Sequence, residues 1–65
     1  MQNDLKNISF LIQNKKFSEA LNLLDGLSDN EKKDSNYNFF KGISYLYLSE
    51  FNKAIENFDS AIKIK

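Results

Sequence analysis

The stretch Phe17–Leu27, FSEALNLLDGL, recurs further along the chain as FNKAIENFDSA in Phe51–Ala61. Phenylalanine, alanine and aspartate recur at the same places, and three leucines of the first stretch are replaced by other apolar or small residues in the second. The shift that carries Phe17 to Phe51, here called the repeat offset, also superposes Leu5 on Phe39. Self-similarity at a period of about 20–50 residues is typical of proteins built from stacked helical or strand units. The 65-residue chain therefore contains two copies of one unit.

Each unit is expected to consist of two helices. Apolar residues recur at helical spacing in four segments. Proline is absent and glycine occurs only at Gly26 and Gly42, so the chain has few helix breakers. The sequence predicts an all-α fold of two antiparallel helical hairpins. The four helices are expected at residues 4–15, 18–27, 34–48 and 52–63.

The ends of these helices carry recognisable signals. Ser18 and Asn52, which coincide at the repeat offset, are expected to cap the second and fourth helices. Gly26 either lies inside the second helix or marks its C-cap. The stretch Ser28–Asp34 is charged and lacks apolar residues, and it is expected to connect the two hairpins.

The third helix is apolar nearly all round, so we expect other helices to cover it on more than one side. Small residues at Gly42 and Ala54 would let it approach the fourth helix closely. The residues expected to be buried are Leu11, Ala20, Leu24, Tyr45, Ala54 and Phe58.

The second unit resembles the tetratricopeptide repeat, a pair of helices whose period of about 34 residues equals the repeat offset. Its small, aromatic and turn positions hold matching residues, which are Gly42, Tyr45, Phe51, Ala54, Phe58 and Ala61. The first unit matches less well, since Ile8, Leu24 and Leu27 replace a small residue, an aromatic and an alanine. The resemblance implies one domain over residues 1–65, an α-solenoid fragment with repeats at about 1–34 and 35–65. A generic four-helix bundle is the alternative.

Composition excludes several functions. The chain has no cysteine, histidine or arginine, so the commonest general base and the thiolate and imidazole metal ligands are absent. The acidic residues around Ser28–Asp34 lack the glycine position of a cation-binding loop. Net charge is zero and no apolar run approaches a membrane span. We expect no enzyme activity, cofactor, metal, nucleic acid or membrane partner, and a cytoplasmic location.

By resemblance, the first helix of each repeat lines a concave groove that binds a protein or peptide. The matching residues are Leu5, Ser9, Ile12, Phe39, Phe40, Ile43 and Tyr47. Lysine and asparagine, which family members use to clamp acidic tails, are replaced here by Leu5, Ser9 and Phe40. An apolar groove of this kind would suit a hydrophobic or amphipathic helix. The alternative is that Phe39, Phe40 and Tyr47 complete the core.

The last helix has no capping helix after it. Ile55, Ile62 and Ile64 would face the place of a next repeat. The chain is then a fragment, or it is covered by a partner, or it self-associates, most simply as a two-fold homodimer. Alternatively these isoleucines pack against the third helix.

The sequence thus favours a protein–protein interaction module, a small scaffold that docks a partner segment or its own copy. The alternative is an accessory or N-terminal domain of a larger enzyme whose catalytic part lies outside this chain. The start at Met1 and the end after Lys65 are consistent with that second interpretation.

Overall fold

The computed structural model describes the backbone of residues 4–64 and the side chains of residues 5–63. It is all helical, which confirms the predicted fold class, and no β-strand occurs between residues 4 and 64. Four longer helices match the expected segments, and a fifth helix of one turn was not predicted. The helices are α1 Asp4–Gln13, α2 Phe17–Asp25, α3 Asp29–Lys32, α4 Ser35–Tyr47 and α5 Phe51–Ile64.

The turns of the two hairpins have equivalent residues at equivalent places, one repeat offset apart. Lys15 and Ser49 adopt left-handed backbone conformations, with φ of 64° and 67°. The Lys16 N–H donates to the Leu11 carbonyl at 2.8 Å, and the Glu50 N–H donates to the Tyr45 carbonyl at 2.8 Å. Each of these is the hydrogen bond that closes a helix ending in a Schellman motif. The two turns therefore share one backbone geometry.

This turn geometry corrects the predicted caps. The helix after each turn begins one residue before Ser18 or Asn52, because the chain re-enters the helix two residues beyond the left-handed residue. The Ala20 N–H donates to the Lys16 carbonyl, and the N-cap Lys16 makes no side-chain hydrogen bond. Ser18 and Asn52 therefore lie inside the first turns of α2 and α5. Gly26, in contrast, is the C-cap of α2 with an ordinary negative φ of −88°.

The connection between the hairpins was expected to be a loop, but part of it is helical. Ser28 and Glu31 form a capping box, in which the Glu31 N–H donates to the Ser28 hydroxyl and the Ser28 N–H donates to the Glu31 carboxylate. This arrangement starts the one-turn helix α3. Asp34 then caps α4 by accepting a hydrogen bond from the Asn36 N–H at 2.8 Å.

The core lies inside the first hairpin. Ile8, Ala20, Leu24 and Leu27 form its buried cluster. Tyr37 and Phe40 of α4 pack against this cluster from the side of the second hairpin, and they are partly buried there. Because α4 contacts α1, α2, α3 and α5, it is covered on more than one side, as its apolar sequence predicted.

Inside the second hairpin, α4 and α5 approach each other at small residues. Ala54 is only 2% exposed, and Ala61 is buried. A Cβ atom at Gly42 would lie 2.6–3.0 Å from the ring of Phe58, which occupies the space that a side chain would need. Of the residues predicted to be buried, Ala20, Leu24 and Ala54 are, whereas Leu11, Tyr45 and Phe58 are half-buried because the thin fold leaves one side of each open.

The arrangement is thin, and α5 lies at its edge. The shortest dimension is 16 Å, which is less than two helix diameters. In the part of the chain that the structure describes, α5 packs against α4 and makes no substantial contact with the first hairpin. One long side of α5 is consequently uncovered.

The contact between Gly42 and Phe58 gives a first prediction. We expect Gly42→Ala to lower the free energy of unfolding by about 1–2 kcal/mol, because overpacking costs about 1–3 kcal/mol and alanine returns up to about 1 kcal/mol of helix propensity. Gly26→Ala is the matched control, because its Cβ would meet only ordinary contacts of 3.6 Å and beyond. Urea unfolding measures both; a Gly42→Ala protein more stable than wild type would contradict the packing.

A second prediction concerns Ser44, which is fully buried while its Oγ meets no hydrogen-bonding group among the described residues. We expect Ser44→Ala to raise the free energy of unfolding by about 1 kcal/mol, because a buried unsatisfied hydroxyl is costly. Ser60→Ala, at an exposed position of α5, controls for helix propensity alone. A loss of stability in Ser44→Ala, relative to Ser60→Ala, would show that the hydroxyl makes a favourable bond.

Candidate docking surfaces

The residues predicted to line one groove are separated by the fold. Leu5, Ile12 and Phe40 are half-buried and pack against the core cluster of the first hairpin. Ser9 is also half-buried. Phe40 thus helps to complete the core, as the alternative interpretation proposed. The remaining predicted residues lie in two different surface grooves.

The first of these, here called the turn groove, lies at the turn of the first hairpin and has a volume of about 290 Å³. Its lining residues are Ile12, Gln13, Lys15, Phe17, Ile43 and Tyr47. The ring of Tyr47 stacks face to face on that of Phe17, with centroids 4.8 Å apart, yet Tyr47 remains 67% exposed. Phe17 was not among the predicted groove residues, although its place in the repeated turn marks it in the sequence.

The second groove, here called the α5 groove, lies between the start of α4 and the end of α5. It is open to solvent and has a volume of about 490 Å³, and its lining residues are Ser35, Asn36, Phe39, Phe58, Ala61 and Ile62. Phe39 is 46% exposed, and its ring packs at 5.9 Å from that of Phe58. Among the predicted groove residues, only Phe39 lines this groove.

Beside the α5 groove, α5 presents a row of exposed apolar side chains, here called the α5 face and formed by Phe51, Ile55 and Ile62. Ile55 is 59% exposed and Ile62 is 71% exposed. The interpretation that these two isoleucines pack against the third predicted helix, α4, is wrong, because both side chains remain mostly exposed. The side chain of Ile64, the third residue predicted for self-association, lies outside the described residues.

Phe51 belongs to this row but was not predicted as a site residue. It lies four residues before Ile55, which in turn lies three before Phe58 and seven before Ile62. Steps of four, three and four place side chains along one side of a helix. The spacing could therefore have identified Phe51, which the sequence analysis assigned only to the turn.

Charged side chains also occur beside these surfaces, and Lys15 lines the turn groove. Asp59 is exposed on α5, one residue after Phe58. An ion pair between the hairpins joins Lys41 of α4 to Asp25 of α2, with the Lys41 Nζ 4.0 Å from the Asp25 Oδ1. Across residues 4–64, no cluster of three or more histidine, cysteine, aspartate or glutamate side chains is arranged to hold a metal ion. Over the same residues, no helix combines the length and apolar character that crossing a membrane requires.

Comparison with known proteins adds no relative. No family model matches the sequence, and neither a curated protein nor a solved structure is significantly similar to the chain. The resemblance to the tetratricopeptide repeat therefore stays a prediction.

Proposed function

We propose that this chain is a protein–protein interaction module of the tetratricopeptide-repeat type, which docks a helix of another protein, or of its own copy, on the α5 face. The observation that carries this proposal is the pair of exposed isoleucines, Ile55 and Ile62, beside the open α5 groove. Exposed apolar patches next to a concave groove are typical of surfaces that bind another protein.

The repeated backbone geometry supports the repeat type. Helical repeat arrays are stacked from hairpins of one geometry, and here the two turns share left-handed residues and hydrogen bonds at the repeat offset. In such arrays each hairpin covers the apolar side of its neighbour. The second hairpin offers that side on α5, where no helix of the described residues covers it.

The energetics favour occupation of this surface. Burying one isoleucine is worth about 1.5–3 kcal/mol, and native domains are stable by only about 5–15 kcal/mol in total. Covering Ile55 and Ile62 together would therefore offset a substantial part of the entropic cost of association. A helix laid along α5 is the simplest cover, because the exposed residues follow one side of a helix over three turns.

A two-fold homodimer would satisfy the same residues without a foreign partner. In an isologous interface one self-complementary patch serves both copies, so two α5 helices packed together would each cover the other. At high concentration the helices of other copies are the available partners. We therefore expect self-association through the α5 face when the chain is concentrated.

The third prediction tests the α5 face as the surface of self-association. We expect wild-type protein to sediment as a dimer near millimolar concentration and as a monomer at low micromolar concentration, with an unfolding midpoint that rises with concentration. The double variant Ile55→Lys, Ile62→Lys should remain monomeric throughout, because lysine at the contact would bury unpaired charge.

The matched control is the double variant Phe10→Lys, Leu23→Lys, which replaces two apolar residues that are also exposed but lie on the first hairpin. It should associate as wild type does. A wild-type protein that stays monomeric at millimolar concentration, or a control that loses association equally, would contradict the α5 face as the docking surface.

A further inference from the structure

The α5 groove has a counterpart, one repeat earlier, that the chain covers itself. At the repeat offset, Phe58 corresponds to Leu24 and Ala61 to Leu27. Leu24 and Leu27 are both buried in the core cluster, whereas the corresponding part of the second hairpin is the open α5 groove. The molecule therefore shows what kind of element covers this surface when it is occupied.

The covering element in the first hairpin is α4. It presents two aromatic side chains three residues apart, Tyr37 and Phe40, which pack against the core cluster. The next residue, Lys41, donates a hydrogen bond from Nζ to the Tyr37 Oη at 3.2 Å and lies over the Tyr37 ring at 5.1 Å from its centroid. Lys41 thereby holds the Tyr37 ring in place while its ammonium group faces Asp25 of α2.

The acidic partner of that lysine is also repeated. Asp59 corresponds to Asp25 at the same offset, and it is exposed, one residue after Phe58 of the α5 groove. The second hairpin thus retains the apolar floor and the carboxylate that α4 uses on the first. The floor is also roomier, because Ala61 stands where the first hairpin has Leu27.

The outer side of α1 does not match this surface, so head-to-tail stacking of copies is disfavoured. The counterparts of Phe40 and Lys41 in α1 are Lys6 and Asn7, of which Lys6 is exposed and Asn7 is polar. A copy docking its α1 on α5 would bring no aromatic pair to the groove. In this chain the pattern of Tyr37, Phe40 and Lys41 occurs only in α4, where both aromatic rings already pack on the first hairpin. The occupant that matches the seat of α4 is therefore a helix of a different protein, and the association of two α5 helices expected at high concentration is a separate contact without this pattern.

We propose that the α5 groove binds an amphipathic helix of a partner protein that carries aromatic residues at positions i and i+3 and a lysine at i+4, seated as α4 is seated on the first hairpin. The aromatic pair packs on Phe39, Phe58 and Ala61, and the lysine pairs with Asp59. This inference rests on the proposed function, and it names the partner's recognition pattern.

The probe is a labelled helical peptide of alanine, glutamate and glutamine that retains Tyr37, Phe40 and Lys41 at their α4 spacing. Fluorescence anisotropy follows its binding to the full chain at low micromolar concentration, where we expect the chain to be monomeric. We expect saturable binding that weakens at least tenfold in Ile62→Lys, and that is lost when serine replaces both aromatic residues of the peptide. Ile62 is 71% exposed, so this variant retains its fold, which circular dichroism verifies.

A charge swap tests the pairing with Asp59. Asp59→Lys should weaken binding about two- to fivefold, as expected for an exposed ion pair, and a peptide with Lys41→Glu should restore it. Glu56→Lys is the charge-matched control, because Glu56 is exposed on the same helix but corresponds at the repeat offset to Asn22, which does not pair with Lys41, and it should leave binding unchanged. Equal weakening by Asp59→Lys and Glu56→Lys would overturn the proposed pairing.

The outcomes separate this inference from the proposed function. If the peptide fails to bind, or binds wild type and Ile62→Lys equally, while the concentrated chain still self-associates through α5, the recognition pattern is overturned and the interaction module stands. If neither peptide binding nor self-association occurs, both proposals are overturned.

Discussion

The packing of α4 onto the first hairpin is the contact on which the rest of the structure depends. Tyr37 and Phe40 close the core cluster on one side of α4, while the side that carries Gly42 receives the ring of Phe58 from α5. Because α5 packs chiefly on α4, the second hairpin is held to the first through this one helix. A change that shifts α4 would therefore also move α5 relative to the first hairpin.

This arrangement also explains why so much apolar surface is exposed. A chain of 65 residues buries only about 60% of the surface that its unfolded form exposes. Here the buried cluster belongs mainly to the first hairpin, and α5 contributes mostly the small residues Ala54 and Ala61 to the interior. Apart from Phe58, its large apolar side chains Phe51, Ile55 and Ile62 are exposed, so the proposed docking surface lies on the helix that the core uses least.

Sequence periodicity predicted the hairpins well because the repeat offset reports buried positions, which the fold constrains most. It missed the turns because left-handed residues are usually glycine or asparagine, whereas lysine and serine stand at 15 and 49. The cap assignments at Ser18 and Asn52 were wrong for the same reason. The Ser28–Glu31 capping box, however, was readable from its spacing and explains the unexpected helix α3.

The predicted groove was divided because neighbouring residues of a helix face directions about 100° apart. Phe39 and Phe40 illustrate this, since Phe40 packs on the core of the first hairpin while Phe39 lines the α5 groove. Assigning the two residues to different surfaces requires knowledge of how α4 packs on the first hairpin, which a single sequence does not contain. The exposed spacing of Ile55 and Ile62 was a local property of one helix and could be predicted.

The isoleucines offer the most direct measurement of the central claim, which is that α5 carries the docking surface. Five of the six have described side chains, which lie in the core at Ile8, in the turn groove at Ile12 and Ile43, and on the α5 face at Ile55 and Ile62. In methyl-labelled NMR spectra recorded at increasing protein concentration, we predict that the Ile55 and Ile62 signals shift while those of Ile8, Ile12 and Ile43 stay in place. Shifts at Ile12 and Ile43 with unchanged Ile55 and Ile62 would contradict the account and assign docking to the turn groove.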